Sequence, residues 1–205
     1  KIDLGIGVYK NQLGNTPIMS SVKKAEAILL DKQISKSYVG LAGSLNFLEN
    51  IKNLIFNREL EDDRISCVQV PGGTGAIHQL LNLVKKSDFK NKVFLPNPSW
   101  PNHKAILSYL NIEFEEYYYF DEISCEVNFE KMLYDITKAN DGDIILLHGC
   151  CHNPTGANLK KDDWVKLTEI FLKKNLLPFI DLAYQGFGDG LQNDVFGLRY
   201  LSKNI

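Results

Sequence analysis

The sequence predicts an α/β fold in which helices cover both faces of a mostly parallel β-sheet. From residue 65 onward, short apolar or β-branched runs alternate with segments of helical periodicity, and this order is typical of strands joined by crossover helices. The predicted strands are residues 65–70, 92–96, 113–120, 143–148 and 177–182. Residues 144–147 are all apolar, as expected of a strand covered on both faces, so we expect the fourth strand to be central.

The helices are predicted from the spacing of apolar residues. One stripe contains Ile77, Leu80, Leu81 and Val84, and a later one contains Trp164, Leu167 and Phe171. Both repeat at the three- and four-residue intervals of an amphipathic helix, so one face of each should pack on the sheet. Residues 20–33 and 44–57 are also predicted helices, with Ser44 as the N-cap of the second.

Composition and charge exclude several classes of protein. The 205 residues carry 23 basic and 25 acidic side chains, a net charge of −2, and no basic stripe that could neutralise the phosphates of a nucleic acid. No apolar run approaches the roughly 20 residues needed to span a bilayer, so a membrane is not an expected partner. Because Cys150 and Cys151 are adjacent, they are poorly placed to form a disulfide. We therefore expect reduced thiols and a cytoplasmic protein.

A glycine-rich turn joins the first predicted strand to the helix that follows it. Residues 71–76 read PGGTGA, in which the glycines let the backbone approach a ligand and the start of the helix presents N–H groups to an anion. The turn is neither a Walker loop nor the dinucleotide fingerprint, because the Lys of the first and the third glycine of the second are missing. It predicts a phosphate site, although an ordinary strand-to-helix turn can have a similar composition.

Three further residues follow predicted strands, at the edge where open parallel sheets bind ligands. Asp181 ends the last strand, where its carboxylate could keep a pyridine nitrogen protonated or form a structural ion pair. Asn153 precedes a proline after the central strand and serves either a turn or a contact to the cleft. Trp100 could stack on a flat ring or pack in the core.

Six segments together resemble the class I aspartate-aminotransferase family, in the family's order and along the whole chain. They are residues 5–9 (GIGVY), 38–40 (YVG), 71–76 (PGGTGA), 97–103 (NPSWPNH), 148–156 (HGCCHNPTG) and 181–187 (DLAYQGF). The resemblance implies pyridoxal 5′-phosphate (PLP) as cofactor and the fold of type I PLP-dependent transferases. Residues 1–16 would be a lead-in belonging to the small domain, and residues 17–205 the amino-terminal part of an incomplete PLP-binding large domain.

The resemblance also implies how the cofactor is held. Gly73 and Thr74 are similar to the donors to the PLP phosphate. Trp100 is similar to the residue that stacks on the cofactor ring, and Asn153 and Tyr184 to the pair that hydrogen-bonds its phenolic oxygen. Trp100 and Asn153 would also contact the substrate.

Four more residues receive roles from the resemblance. Asp181 is similar to the partner of the pyridine nitrogen, and His103 to the residue that orients it; Asp181 would act in catalysis together with Tyr184 and Trp100. Tyr38 resembles the tyrosine that reaches the cofactor of the neighbouring subunit, which implies a homodimer with shared active sites. Gly7 resembles the glycine beside the substrate carboxylate.

One departure from the family concerns the lysine that forms a Schiff base with PLP. In the family this lysine belongs to the next strand unit after Asp181, and such a unit takes about 30 residues or more, so we expect it beyond Ile205. Lys203 comes too early, in a predicted helix that begins near Asp194. The arginines that bind substrate carboxylates are also expected beyond Ile205, so the chain by itself is predicted to be inactive.

The parent enzyme is expected to transfer an amino group between L-aspartate and 2-oxoglutarate, giving oxaloacetate and L-glutamate. One alternative is an aromatic amino-acid aminotransferase or another PLP enzyme of the same fold, since a fold does not fix a reaction. Another is a non-catalytic PLP-binding or assembly subunit. A metal site made of His148, Cys150, Cys151 and His152 is a weaker reading, because four ligands within five residues would point to different sides; no metal is expected.

Overall fold

The computed structural model describes residues 8–57, 62–87 and 91–205, and the chain divides into two compact units, Lys1–Gly40 and Leu41–Ile205. The first unit contains helix α1 (Ser20–Lys32), close to its predicted bounds, and none of the side chains of α1 is buried. In the described part of the chain, no helix combines the length and the apolar character that crossing a bilayer requires.

The second unit is built on a parallel sheet. Its strands, with a short hairpin, are β1 (Val93–Asn97), β2 (Phe114–Tyr118), β3 (Phe120–Asp121), β4 (Glu126–Val127), β5 (Ile144–His148) and β6 (Leu177–Asp181). Four of them form the sheet in the order β2-β1-β5-β6, and all three pairs are parallel. Strands β3 and β4 pair separately and antiparallel. The predicted strand at 143–148 is therefore confirmed as an inner strand, beside β1.

The pairs of the sheet differ in length. Strand β1 pairs with β2 over five residue pairs, and β5 pairs with β6 over five. Strand β1 pairs with β5 over only two, Val93 with Ile144 and Phe94 with Ile145. The shortest ladder thus lies in the middle of the sheet.

Six helices complete the second unit. They are α2 (Leu45–Phe56), α3 (Gly72–Lys86), α4 (Pro101–Tyr109), α5 (Phe129–Ile136), α6 (Lys161–Lys174) and α7 (Phe196–Asn204), with a 3₁₀ turn at Asp62–Arg64. The predicted N-cap is confirmed, because the Ser44 side chain accepts a hydrogen bond from the Phe47 N–H. The buried faces of α3 and α6 contain the predicted stripes, except that Leu80 is 48% exposed.

The sheet is covered on both faces because successive strand residues point to opposite sides. One apolar cluster joins α3 and α4 to one face through Val93, Leu95, Ile144 and Leu146. The other joins α5, α6 and α7 to the opposite face through Phe94, Ile145 and Leu147. This three-layer arrangement confirms the α/β architecture predicted from the sequence.

Helices α6 and α7 approach each other closely at one glycine. A Cβ atom added to Gly197 would lie 2.2 Å from ring atoms of Trp164, far inside van der Waals contact, so only glycine fits here without a shift of α7. Trp164 and Leu201 are buried in the cluster that this contact completes.

The prediction of a strand at 65–70 is wrong. The described backbone there is not assigned to any strand, and its Gln69 N–H donates to the Ala42 carbonyl at 2.8 Å. An apolar run becomes a strand only where a second backbone pairs with it along its length. Among the described residues, 65–70 has no such neighbour, and its side chains border an apolar groove with Pro178 and Ile180 of β6.

Candidate active site

A cleft opens at the carboxyl edge of the sheet, where the parallel strands β1, β5 and β6 end. It is lined by Gly73, Ile77, Trp100, His148, Cys150, Asn153, Asp181, Ala183 and Tyr184. These residues come from four separate stretches of sequence, which the parallel topology brings to one edge. Five of the residues predicted to bind PLP therefore line a single cleft: Gly73, Trp100, Asn153, Asp181 and Tyr184.

The carboxylate in this cleft is held from behind by a buried imidazole. Asp181 is the last residue of β6, and its Oδ2 lies 2.9 Å from Nε2 of His103, which is completely buried on α4. An ionised carboxylate only accepts hydrogen bonds, so His103 donates through Nε2. Nδ1 of the same ring lies 2.8 Å from Oγ of Ser99. The hydrogen bonds from Ser99 to His103 and from His103 to Asp181 restrain the direction of the carboxylate.

The other end of the cleft is bounded by the first turn of α3. Pro71 occupies the N-cap and provides no side-chain hydrogen bond, and the first turn contains no acidic residue. The backbone N–H groups at the start of the helix are therefore available to an anion. Gly72 has φ +64°, a conformation that favours glycine, and a Cβ at Gly73 would have open space around it. Thr74 lies exposed in the same turn, outside the set of residues that line the cleft.

Two further predicted site residues belong to the first unit of the chain. Tyr38 belongs to the first unit, and its side chain is fully exposed there. Gly7 lies outside the described residues.

Sequence reasoning missed a stack of aromatic rings beneath the cleft. The centroid of the His148 ring lies 5.2 Å from that of His103 and 4.3 Å from that of His152. The His152 ring in turn stacks on Tyr119, with 4.1 Å between the two ring centroids. Nδ1 of His148 accepts the backbone N–H of Asn153 at 3.2 Å, so this ring positions a residue of the cleft. The signal was a pair of histidines four residues apart, at the end of the buried strand β5 and just after it. From the sequence we considered this pair only as part of a metal site, which we rejected.

Burial keeps His148 and His152 of this stack uncharged at neutral pH. Burial, with the nearby His103 imidazole, lowers the pKa of His148 to about 4, although Asp181 opposes the shift. Burial and the adjacent His148 lower the pKa of His152 to about 3. Nε2 of each ring is buried with no hydrogen-bond partner among the described residues. A proton added to either ring would therefore be poorly solvated.

The free energy of unfolding should fall by about 2 kcal/mol for each of these two imidazoles between pH 7 and pH 5. Below the ordinary histidine pKa of 6.5 the unfolded chain takes up these protons, whereas the folded chain resists them until the pH nears 4 or 3. Stability present above pH 6.5 is thus lost as the pH falls. Urea unfolding at the two pH values measures the effect.

Two variants test the origin of this pH dependence. His152→Phe keeps a ring against Tyr119 but binds no proton, so it should remove about half of the loss. Leu167→Ala, a truncation in the core, should lower the stability equally at both pH values. An unchanged pH dependence in His152→Phe would show that the stack is not responsible.

The cysteines near the cleft form no disulfide. All four cysteines are free, and burial raises the pKa of Cys150 to about 12. Among the described residues, no three or more His, Cys, Asp or Glu side chains lie close enough together to hold a metal ion.

Comparison with known proteins assigns this chain to a family. The family model "Aminotransferase class I and II" matches residues 1–202. The chain is 44% identical over 205 residues to an aromatic-amino-acid aminotransferase of Paracoccus denitrificans, covering 100% of this chain and 52% of the relative. It is 41% identical over 202 residues to an aspartate aminotransferase of Escherichia coli K12, covering 97% and 51%.

Solved structures agree with this assignment. An aromatic amino acid aminotransferase with 3-indolebutyric acid superposes with a TM-score of 0.96 at 44% identity, covering 100% of this chain and 52% of that one. A Burkholderia pseudomallei aromatic-amino-acid aminotransferase, described as covalently bound to pyridoxal phosphate, gives 0.93 at 32%, covering 98% and 51%. The predicted fold class is thereby confirmed, and the chain spans about half the length of the relatives it matches. The chain belongs to the class I and II aminotransferases, a family that depends on PLP.

Proposed function

We propose that this chain is the cofactor-binding part of an aminotransferase that exchanges amino groups between L-aspartate and 2-oxoglutarate, giving oxaloacetate and L-glutamate. The observation that carries the proposal is the pairing of two features in one cleft. The Asp181 carboxylate, held by buried His103, lies in the same cleft as Gly73 in the open first turn of α3. Residues 17–205 would then form part of the PLP-binding large domain, and residues 1–16 a lead-in from the small domain.

The residues of the cleft match the chemistry of PLP. Its phosphate suits the free N–H groups at Gly73 and Thr74 and the positive end of the helix dipole. Its ring suits the flat indole of Trp100. Asn153 and Tyr184 can both donate a hydrogen bond to its phenolic oxygen.

Asp181 would keep the pyridine nitrogen of PLP protonated, because a carboxylate stabilises a cation beside it. His103 keeps that carboxylate in one orientation by donating through Nε2. When bound, PLP supplies an electron sink for negative charge at the substrate Cα.

The substrate class has one specific alternative. The Paracoccus relative at 44% identity acts, by its name, on aromatic amino acids, and the E. coli relative at 41% acts on aspartate. Both readings share the cofactor site and differ in the amino acid that they accept. An activity panel with aspartate, phenylalanine and tyrosine, on a protein as long as these relatives, separates them.

The partner and the compartment also belong to the proposal. Tyr38 is fully exposed, which suits a residue that reaches the cofactor of a second subunit in a homodimer. Four free cysteines suit a reducing compartment such as the cytoplasm.

Placing a negative charge at Gly73 should weaken PLP binding by about tenfold or more without harming the fold. A Cβ there meets no atom within 4 Å, and an acidic residue in the first turn of a helix is favourable for the helix itself. The same charge repels a phosphate. Titration of the chain with PLP, followed by absorbance and tryptophan fluorescence, gives the dissociation constants of wild type and Gly73→Asp.

Gly73→Asn is the matched control, because it has nearly the same shape without the charge. It should bind PLP more tightly than Gly73→Asp and unfold at a similar urea concentration. Equal affinity of the two variants would mean that no phosphate binds at this turn, and the proposed site would be abandoned.

A further inference from the structure

The loop between β6 and α7 carries Tyr184 and is closed by one buried carboxylate. Asp194 lies just before α7 and is only 6% exposed. We infer that Asp194 is a positioning residue, which fixes the Tyr184 loop against the turn that follows β5 and carries Asn153. The inference rests on the proposed function, in which Tyr184 and Asn153 serve the same cofactor oxygen.

The Asp194 carboxylate accepts three backbone hydrogen bonds from this loop. Oδ2 accepts the N–H groups of Gly186 at 2.7 Å and Gly188 at 3.0 Å, and Oδ1 accepts that of Asp189 at 2.6 Å. The Asp194 N–H in turn donates to the Gly190 carbonyl at 3.0 Å. One side chain thus joins several backbone groups of a short loop, and each bond to a charged acceptor is stronger than a neutral one.

These bonds keep the carboxylate charged although it is buried. Burial alone raises the pKa of Asp194, but the backbone N–H groups of Asp189 and Gly188, with others of the loop, outweigh it, and the pKa lies below its ordinary value. The carboxylate is therefore an acceptor at neutral pH.

The same loop is packed tightly against the turn after β5. A Cβ on Gly188 would lie 2.8 Å from Oδ1 of Asp194 and 3.1 Å from Sγ of Cys151. The Gly149 N–H, in the turn after β5, donates to the Asp181 carbonyl at the start of the loop at 2.7 Å. Since Cys150 and Cys151 immediately precede His152 and Asn153, the loop and the turn form one unit whose two cleft residues keep a fixed separation.

The consequence concerns the free energy of ligand binding. A Tyr184 held in place loses little conformational freedom when it binds, whereas a mobile loop must be ordered at that moment. Asp194 itself does not line the cleft, so we expect its effect to act through the position of Tyr184. If Asp194 only stabilised the fold, its effect on PLP binding would not depend on Tyr184.

The test compares Asp194→Asn with a second buried aspartate. The amide of the substituted side chain would turn an NH₂ group, which cannot accept a hydrogen bond, toward backbone N–H groups. Asp143→Asn is the matched control, because Asp143 is 2% exposed and accepts the N–H groups of Lys92 at 2.9 Å and Asn140 at 2.7 Å. Asp143 precedes β5, at the sheet edge opposite the cleft.

Two quantities are measured on the full 205-residue chain: amide hydrogen exchange in residues 183–190 and the dissociation constant of PLP. Asp194→Asn should speed exchange in this loop and weaken PLP binding, each by about tenfold. Asp143→Asn should lower the urea midpoint but change the PLP dissociation constant by less than about twofold. Combined with Tyr184→Phe, the Asp194→Asn change should weaken binding by much less than tenfold.

Three outcomes would overturn the inference. Wild-type PLP affinity in Asp194→Asn, or equal losses in Asp194→Asn and Asp143→Asn, would reduce Asp194 to a residue of the fold. An unchanged tenfold loss in the Tyr184→Phe background would show that Tyr184 does not transmit the effect. A wild-type chain that binds no PLP contradicts the proposed function first, and the inference with it.

Discussion

The 205-residue chain should not turn over aspartate and 2-oxoglutarate, whereas a protein extending over the full length of its relatives should. The family resemblance implies a lysine that would carry PLP and move a proton from the substrate Cα, and no lysine is among the residues that line the described cleft. Proton transfer of this kind contributes about 10² to 10⁴ in rate. Lys160 and Lys161 lie exposed at the start of α6, and Lys203 lies exposed near the end of α7.

The measurement is the release of oxaloacetate and glutamate by the chain and by the longer protein, at equal PLP occupancy. Borohydride reduction followed by peptide mapping provides the control, because it attaches a pyridoxyl group to any lysine that carries the cofactor. The chain should retain none after denaturation and dialysis. Turnover together with a labelled lysine between Lys10 and Lys203 would show that the catalytic lysine has been misplaced.

Replacing Asp181 with alanine should weaken PLP binding by about 10- to 100-fold. The variant removes the charged partner of the pyridine nitrogen and also leaves the buried Nε2 of His103 without its acceptor. An unsatisfied buried donor costs about 1 to 3 kcal/mol, so the free energy of unfolding should fall as well. PLP titration and urea unfolding measure the two effects.

Asp181→Asn separates these two effects. Its amide oxygen can still accept from His103, so the loss of stability should be smaller than in the alanine variant, while the loss of charge should still weaken PLP binding. An asparagine variant that binds PLP as tightly as wild type would show that the charge of Asp181 does not act on the cofactor.

Most of the strands and the cleft were predictable, because burial selects apolar residues and parallel topology places the residues at the ends of strands together. The run from Ile144 to Leu147 is apolar because both faces of β5 are covered. Asp181 and Asn153 were candidates because both follow strands of a parallel sheet, whose carboxyl ends share one edge. The contact between His103 and Asp181 came only from the family resemblance, since 78 residues separate them.

Three features were not predicted correctly from the sequence, each for a different reason: residues 65–70, helix α5 and the role of Asp194. Residues 65–70 look like a strand because they contain β-branched and apolar residues, but a residue preference for strands does not provide a neighbouring backbone to pair with. Helix α5 did have a signal, with Phe129, Met132 and Ile136 at helical spacing, and Met132 and Ile136 are buried. Asp194 left none, because its partners are backbone N–H groups, which have no sequence identity.

The short ladder between β1 and β5 has a consequence for the order of folding. Each outer pair joins strands separated by one crossover helix, whereas pairing β1 with β5 closes a loop of about 50 residues, which costs more chain entropy. The unit β1-α4-β2 and the unit β5-α6-β6 can therefore form early and dock late, through the two residue pairs that join β1 to β5. His103 belongs to one of these units and Asp181 to the other, so ligand binding becomes a reporter of the final docking step.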